Sequence, residues 1–161
     1  MRVLAIDPGY DRLGIAILEG NPSHPLLIWS DCILPAKGSV EKRLAEVSLA
    51  VTKAIAEYTP NALGIETLFF SVNKKSALGV AEARGAVLAA GGIACLPIIE
   101  CSPQQVKLSV TGYGNADKKA VEMMIPRLID LPQKKRLDDE LDAIAIGITA
   151  LSIGISRNSL S

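Results

Sequence analysis

The chain has 161 residues, 49% of them apolar and 21% charged, with Lys+Arg and Asp+Glu balanced at 17 each. That length and composition fit one soluble globular domain with a full core, and they exclude both a disordered chain and a strongly basic nucleic-acid binder. The longest apolar runs fall well short of the roughly 18 residues that span a membrane. The N-terminal apolar stretch, Val3 to Ile6, meets an acid at once, whereas a signal-peptide core runs for about 7–15 residues. A cytoplasmic protein is expected. Cys32, Cys95 and Cys101 are odd in number and lack metal-ligand spacing, so they read as reduced and structural. The lone histidine, His24 in GNPSHP, reads as an exposed loop residue and leaves no basis for Ser–His or His-rich zinc chemistry.

In chain order, residues 2–7 and 12–19 predict two strands joined by DPGYD, a turn built on Pro8 and Gly9. PLLIWSDCIL, residues 25–34, predicts a third strand, so the chain opens as an antiparallel meander. Residues 40–58 space Leu44, Val47, Val51 and Ile55 three or four apart and predict a helix, stopped by Pro60 and Asn61. ALGIE, residues 62–66, is a short buried strand that, like the first, ends on an acid. An alanine-rich helix from Ala77 to Ala90, closed by Gly91 and Gly92, and a strand over 93–100 follow. Helices over 102–109 and 116–129 flank TGYGNAD, which reads as a loop in which Asn115 or Asp117 could equally cap a helix. The last helix, 138–153, turns Leu141, Ile144 or Ala145, Ile148 and Leu151 inward, and Gly154 is expected to end it. This order predicts an α/β fold, a mixed sheet flanked by helices, with the site where strands end and helices begin. One domain over 1–154 and a flexible polar tail over 155–161 are expected.

Asp7 and Glu66 each end an apolar strand, and Asp139 and Asp142 lie three apart at the start of the last helix. A strand-terminal aspartate is also an ordinary turn former, and DDELD at a helix start is also good dipole chemistry. If the first and fourth strands are neighbours, however, acids from three segments meet. Such a cluster repels itself unless a cation neutralises it. All-oxygen donors favour Mg²⁺ or Mn²⁺ over zinc, and four acids can hold two ions about 3.5–4 Å apart.

IDPGYDRLGIAI, IETLFF, the stretch from ALGVAEARGA through SPQQVKLSVTGYGNADKKAV, and DDELDAIAIGITAL, in that order, resemble the RuvC family of Holliday junction resolvases. The resemblance runs from Arg2 to Leu151. It implies an RNase H-like fold with a mixed five-stranded sheet. It also implies a homodimer, each subunit nicking one of two opposed strands of a four-way DNA junction in recombination and repair. Four carboxylates, Asp7, Glu66, Asp139 and Asp142, would bind two Mg²⁺ per subunit, with Mn²⁺ able to substitute. The D-x-x-D-A match selects Asp139 over Asp138, which is expected to cap the helix. Lys107 and Lys118 would lie beside the scissile phosphate, and Phe69 would stack on bases near the junction centre. The dimer interface would involve the small-residue helix around 77–91, and a RuvA–RuvB branch-migration complex would be a partner.

Overall charge hides a positive middle. Between Thr67 and Val121 the bases are Lys74, Lys75, Arg84, Lys107, Lys118 and Lys119, against only Glu82, Glu100 and Asp117. These bases are the expected phosphate contacts. Two rival readings stand beside the resolvase. One is an actin- or Hsp70-like nucleotide-binding module, opposed by the short chain and by a PGYDRLG turn that lacks Ser and Thr. The other is a YqgF-type nuclease acting on RNA.

Overall fold

The first strand, RVLAIDP, alternates its side chains between two helical layers, and that alternation decides which face each acid joins. The computed structural model describes residues 1–68 and 74–158, with side chains described for 1–68 and 77–154. The elements are β1 (Arg2–Pro8), β2 (Leu13–Asn21), β3 (His24–Ile33), α1 (Val40–Tyr58), β4 (Ala62–Glu66), α2 (Lys74–Ile93), β5 (Ile98–Cys101), α3 (Pro103–Thr111), α4 (Lys118–Leu128) and α5 (Asp138–Asn158). The five strands form one sheet in the order β3-β2-β1-β4-β5. β1, β2 and β3 pair antiparallel, while β4 lies parallel to β1 and β5 parallel to β4. This is the mixed, helix-flanked sheet of the RNase H-like arrangement expected from the sequence.

Even-numbered β1 residues, Leu4 and Ile6, pack with Ile15, Ile17, Leu63 and Ile65 against Val47 and Val51 of α1 and Val87 of α2. Odd-numbered Val3 and Ala5 pack with Ala16, Leu18 and Ala62 against Ile144, Ile148 and Leu151 of α5, and α3 and α4 add Val106, Val110, Val121 and Ile125. Asp7 continues the odd series. Glu66 continues the series of Ala62 and Gly64, where a Cβ would touch Ala150 and Ile146 of α5. Both acids therefore fall on the α5 face. Ile6 pairs with Ile65 in the parallel ladder, so Asp7 and Glu66 come one residue later on adjacent strands.

Two helix ends differ from expectation, for one reason. α2 continues through Gly91 and Gly92 to Ile93, and the next strand starts only at Ile98. A Cβ on Gly91 would come 3.0 Å from Leu63 Cδ1, so this glycine lets α2 lie on β4. α5 likewise runs past Gly154 to Asn158, because Gly154 makes room for Met1, whose Cε would be 2.6 Å from a Cβ there. His24 is exposed but begins β3, paired with Asn21 in a tight hairpin. All three cysteines are free thiols.

Candidate active site

Three independent devices deliver side chains to the C-terminal end of β1 and β4. Asp7 is the penultimate residue of β1 and Glu66 the last of β4. Ser102 and Gln105 form a reciprocal capping box, with Pro103 in the first turn, that starts α3 and sets Lys107 one turn in. Asp117 caps α4 by accepting from the Ala120 amide, which places Lys118 at the first helical position. Of the two candidate caps in TGYGNAD, Asp117 is therefore the one used.

These elements enclose a cavity of about 170 Å³ lined by Asp7, Glu66, Asp142, Lys107, Lys118, Pro103, Val106, Val121 and Ile146. Asp142 and Ile146 stand one helical turn apart on α5, so the face that packs on the sheet also presents the acid. A larger apolar hollow of about 440 Å³, between α1 and the β2–β3 side of the sheet beside Trp29 and Tyr58, lies away from these acids.

Charge dominates the small cavity. The Asp7 carboxyl is pushed up to about 8, first by burial, then by the neighbouring charges of Asp142, Glu66 and Asp139. Asp7 keeps some accessible surface, but its setting costs it most of its hydration. Glu66 is also raised, by burial and then by Asp142, against the opposing pull of Lys107 and Lys118. Burial raises Asp142 too, although Lys118 Nζ donates to its Oδ2 at 2.9 Å. For Lys118, burial alone acts downward, but the hydrogen bond and charge of Asp142, with Asp138 and Glu122, outweigh it and raise the group.

The fourth expected acid stands apart. Asp139 does not line the cavity, and its Oδ2 accepts from Arg12 Nη1 at 3.3 Å. Asp138 is the first residue of α5, more exposed, and pairs at 3.6 Å with Lys118 and 3.8 Å with Arg12. Among the described residues, no group of three or more His, Cys, Asp or Glu side chains is arranged to hold an ion as it stands. The donor chemistry nevertheless fits a hard divalent cation: carboxylates only, with burial and then mutual repulsion holding a proton on Asp7 to about 8.

Other expected DNA contacts divide. Lys119 is exposed on the first turn of α4, one residue after the cavity-lining Lys118. Arg84 is turned inward instead. It donates to the Glu66 carbonyl at 3.3 Å and pairs with Glu100, bracing the ends of β4 and β5. Phe69 and the side chains of Lys74 and Lys75 lie outside the described residues.

Two arginines were not picked out from the sequence. Arg12 follows the DPGYD turn. Arg43 takes a place in the buried stripe of α1, four residues before Val47, and donates to the Tyr10 carbonyl at 2.8 Å and Asp11 Oδ1 at 2.6 Å. Its guanidinium also lies 4.1 Å over the Tyr10 ring. A charged residue at a core position of an amphipathic helix was the readable signal, since buried charge needs a partner. Nothing local marks Arg12.

A family model described as crossover junction endodeoxyribonuclease RuvC matches residues 3–150. The RuvC of Thermosipho melanesiensis is 41% identical over 147 residues, covering 91% of this chain and 94% of that protein. Thermus thermophilus RuvC is similar in structure, with a TM-score of 0.86 and 28% identity over 97% of both chains. A second structure of it, in complex with Holliday junction substrate, also gives a TM-score of 0.86 over 92% of both. The yeast mitochondrial Holliday junction resolvase, 12% identical, shares the fold with a TM-score of 0.69. With acids at the ends of adjacent strands, lysines on two capped helices and a match across nearly its whole length, the chain belongs to the RuvC family of crossover junction endodeoxyribonucleases.

Proposed function

We propose that the cleft between Asp7, Glu66, Asp139 and Asp142 hydrolyses DNA phosphodiesters at four-way junctions, with each subunit of a homodimer nicking one of two opposed strands. The observation that carries this reading is the meeting of Asp7, Glu66 and Asp142, from three separate segments, in one cavity with two lysines. The four carboxylates are the donors for Mg²⁺, two ions per subunit, with Mn²⁺ as a substitute. When bound, such ions supply an activated water and stabilise the leaving oxygen. Asp7 and Glu66, on strand ends, give the donor set a rigid base. Asp139 and Asp142 complete it from α5. Lys107 and Lys118 offer cationic Nζ groups to charge building on the phosphate. No covalent enzyme intermediate is needed.

Phe69 is proposed to stack on bases at the junction, and Lys74, Lys75 and Lys119 to contact phosphates around it. The internal pairing of Arg84 favours a bracing role over DNA contact. The exposed apolar side chains of Leu78 and Ile93 on α2 support a dimer contact along that helix. Among the described residues no helix is long and apolar enough to cross a membrane. We expect the protein to act in the cytoplasm with a RuvA–RuvB branch-migration complex.

The test is incubation with a synthetic four-way junction. Paired symmetric nicks are expected in Mg²⁺, none in chelator, and weaker cleavage when Ca²⁺ replaces Mg²⁺. Preference for structured RNA over the junction would instead support an RNA-processing nuclease of the same fold.

A further inference from the structure

Three of the four acids already face one cavity, and the fourth is held aside by a specific partner. Arg12 Nη1 lies 3.3 Å from Asp139 Oδ2 and 3.8 Å from Asp138 Oδ1. The fold presents Arg12 there on a braced turn. Arg43 ties the two preceding residues, Tyr10 and Asp11, to α1. Gly79 of α2 leaves space for the Tyr10 ring, which would stand 2.8 Å from a Cβ at that position. Just beyond Arg12, Gly14 lets β2 run against the start of α5, where a Cβ would sit 1.9 Å from the Asp139 carbonyl oxygen. The turn is therefore fixed, while the Arg12 side chain remains 47% exposed and able to change partner.

We infer that Arg12 is an exchangeable counter-ion. Without a divalent ion it neutralises Asp139. When an ion takes the Asp139 carboxylate, the guanidinium is released toward a DNA phosphate at the mouth of the cleft. The inference rests on the proposed role of Asp139 as a metal ligand. Two positive charges compete for one carboxylate, so metal loading and junction binding are coupled through this side chain. Lys118 stands in the same relation to Asp142, but it also lines the cavity itself. Arg12 does not, and it can leave without emptying the site.

Mn²⁺ titration of DNA-free wild type, Arg12→Gln and Asp7→Asn by calorimetry tests the first half. Arg12→Gln should bind Mn²⁺ about two- to fivefold more tightly, the range expected on removing a partly exposed ion pair. Junction binding in Ca²⁺ across a salt series tests the second half. There Arg12→Gln should bind more weakly than wild type, and its slope of log affinity against log salt should be shallower by about one, the value for a single phosphate left without its cation. Unchanged or weaker Mn²⁺ affinity in Arg12→Gln, or undiminished junction binding, overturns the inference while leaving the metal site standing. Wild type that binds no Mn²⁺, or Asp7→Asn that binds it equally well, overturns both the inference and the proposed metal site.

Discussion

Asp7 shares its cavity with Glu66 and Asp142, and its carboxyl holds a proton to about 8 where an unperturbed aspartate ionises at 3.8. Between those values the unfolded chain has lost a proton that the folded chain keeps, so raising the pH favours unfolding. The ion-free protein should therefore lose stability as pH rises from about 4 through about 8, with Glu66 and Asp142 acting in the same direction. Asp7→Asn removes the penalty. In chelator, its melting temperature should exceed that of wild type by more at pH 8 than at pH 5, at about 2–4 °C per kcal/mol recovered. An equal difference at both pH values would refute this. Cleavage should separate the two neighbouring aspartates of α5. Asp139→Asn should abolish metal-dependent nicking, whereas Asp138→Asn, which neutralises an exposed carboxylate, should retain it. Phe69→Ala should keep its melting temperature and Mn²⁺ affinity but lose about 1–3 kcal/mol of junction binding, the worth of an aromatic stack. A junction affinity equal to wild type would count against the stack.

The first turn of α5 shows how an element is held in the register its acids need. Glu140, buried between Asp139 and Asp142 in sequence, accepts from Ser30 Oγ of β3 at 2.5 Å and pairs with Lys134 Nζ at 2.8 Å and Arg136 Nε at 3.2 Å. Lys134 also donates to the Ser30 carbonyl, so one polar knot ties β3, the segment before α5 and α5 itself. Glu140→Ala would strand the buried Arg136, while the exposed Lys134 could turn to solvent, and removing one partner of a buried pair costs about 3–5 kcal/mol. Glu140→Gln keeps an acceptor for Ser30 and should cost less. Urea denaturation of the two variants measures the difference, and equal stability would show that the knot does not hold the helix. The 3.6-residue period of α5 was readable, and so was its inward face. Its true end was not, because Gly154 reads as a stop signal but acts as a gap for Met1, a residue at the far end of the chain. Gly91 misleads in the same way against Leu63.

At the scale of the whole molecule, a balance of 17 acids and 17 bases makes the net charge zero. In the proposed function, nucleic-acid affinity comes from local charge such as that of Lys107, Lys118 and Lys119, beside the acids of the cavity. Divalent ions fill that cavity in the same reading, so junction binding should tighten when Ca²⁺ is added. Binding that is indifferent to Ca²⁺ would contradict it. Light scattering should give about twice the 17.0 kDa chain mass, and a monomer would leave paired nicking without a structural basis. The sequence by itself determined the strand and helix order, the sheet class and the family, because periodicity and motif spacing are local properties of the chain. Tertiary structure decided what the charges do. Lys118 faces Asp142, Arg84 turns inward to Glu100, Arg43 braces a turn 32 residues away, and Arg12 reaches Asp139 across 127 residues. A charged side chain's partner depends on which segments the fold brings within a few ångströms, and no local pattern encodes that distance.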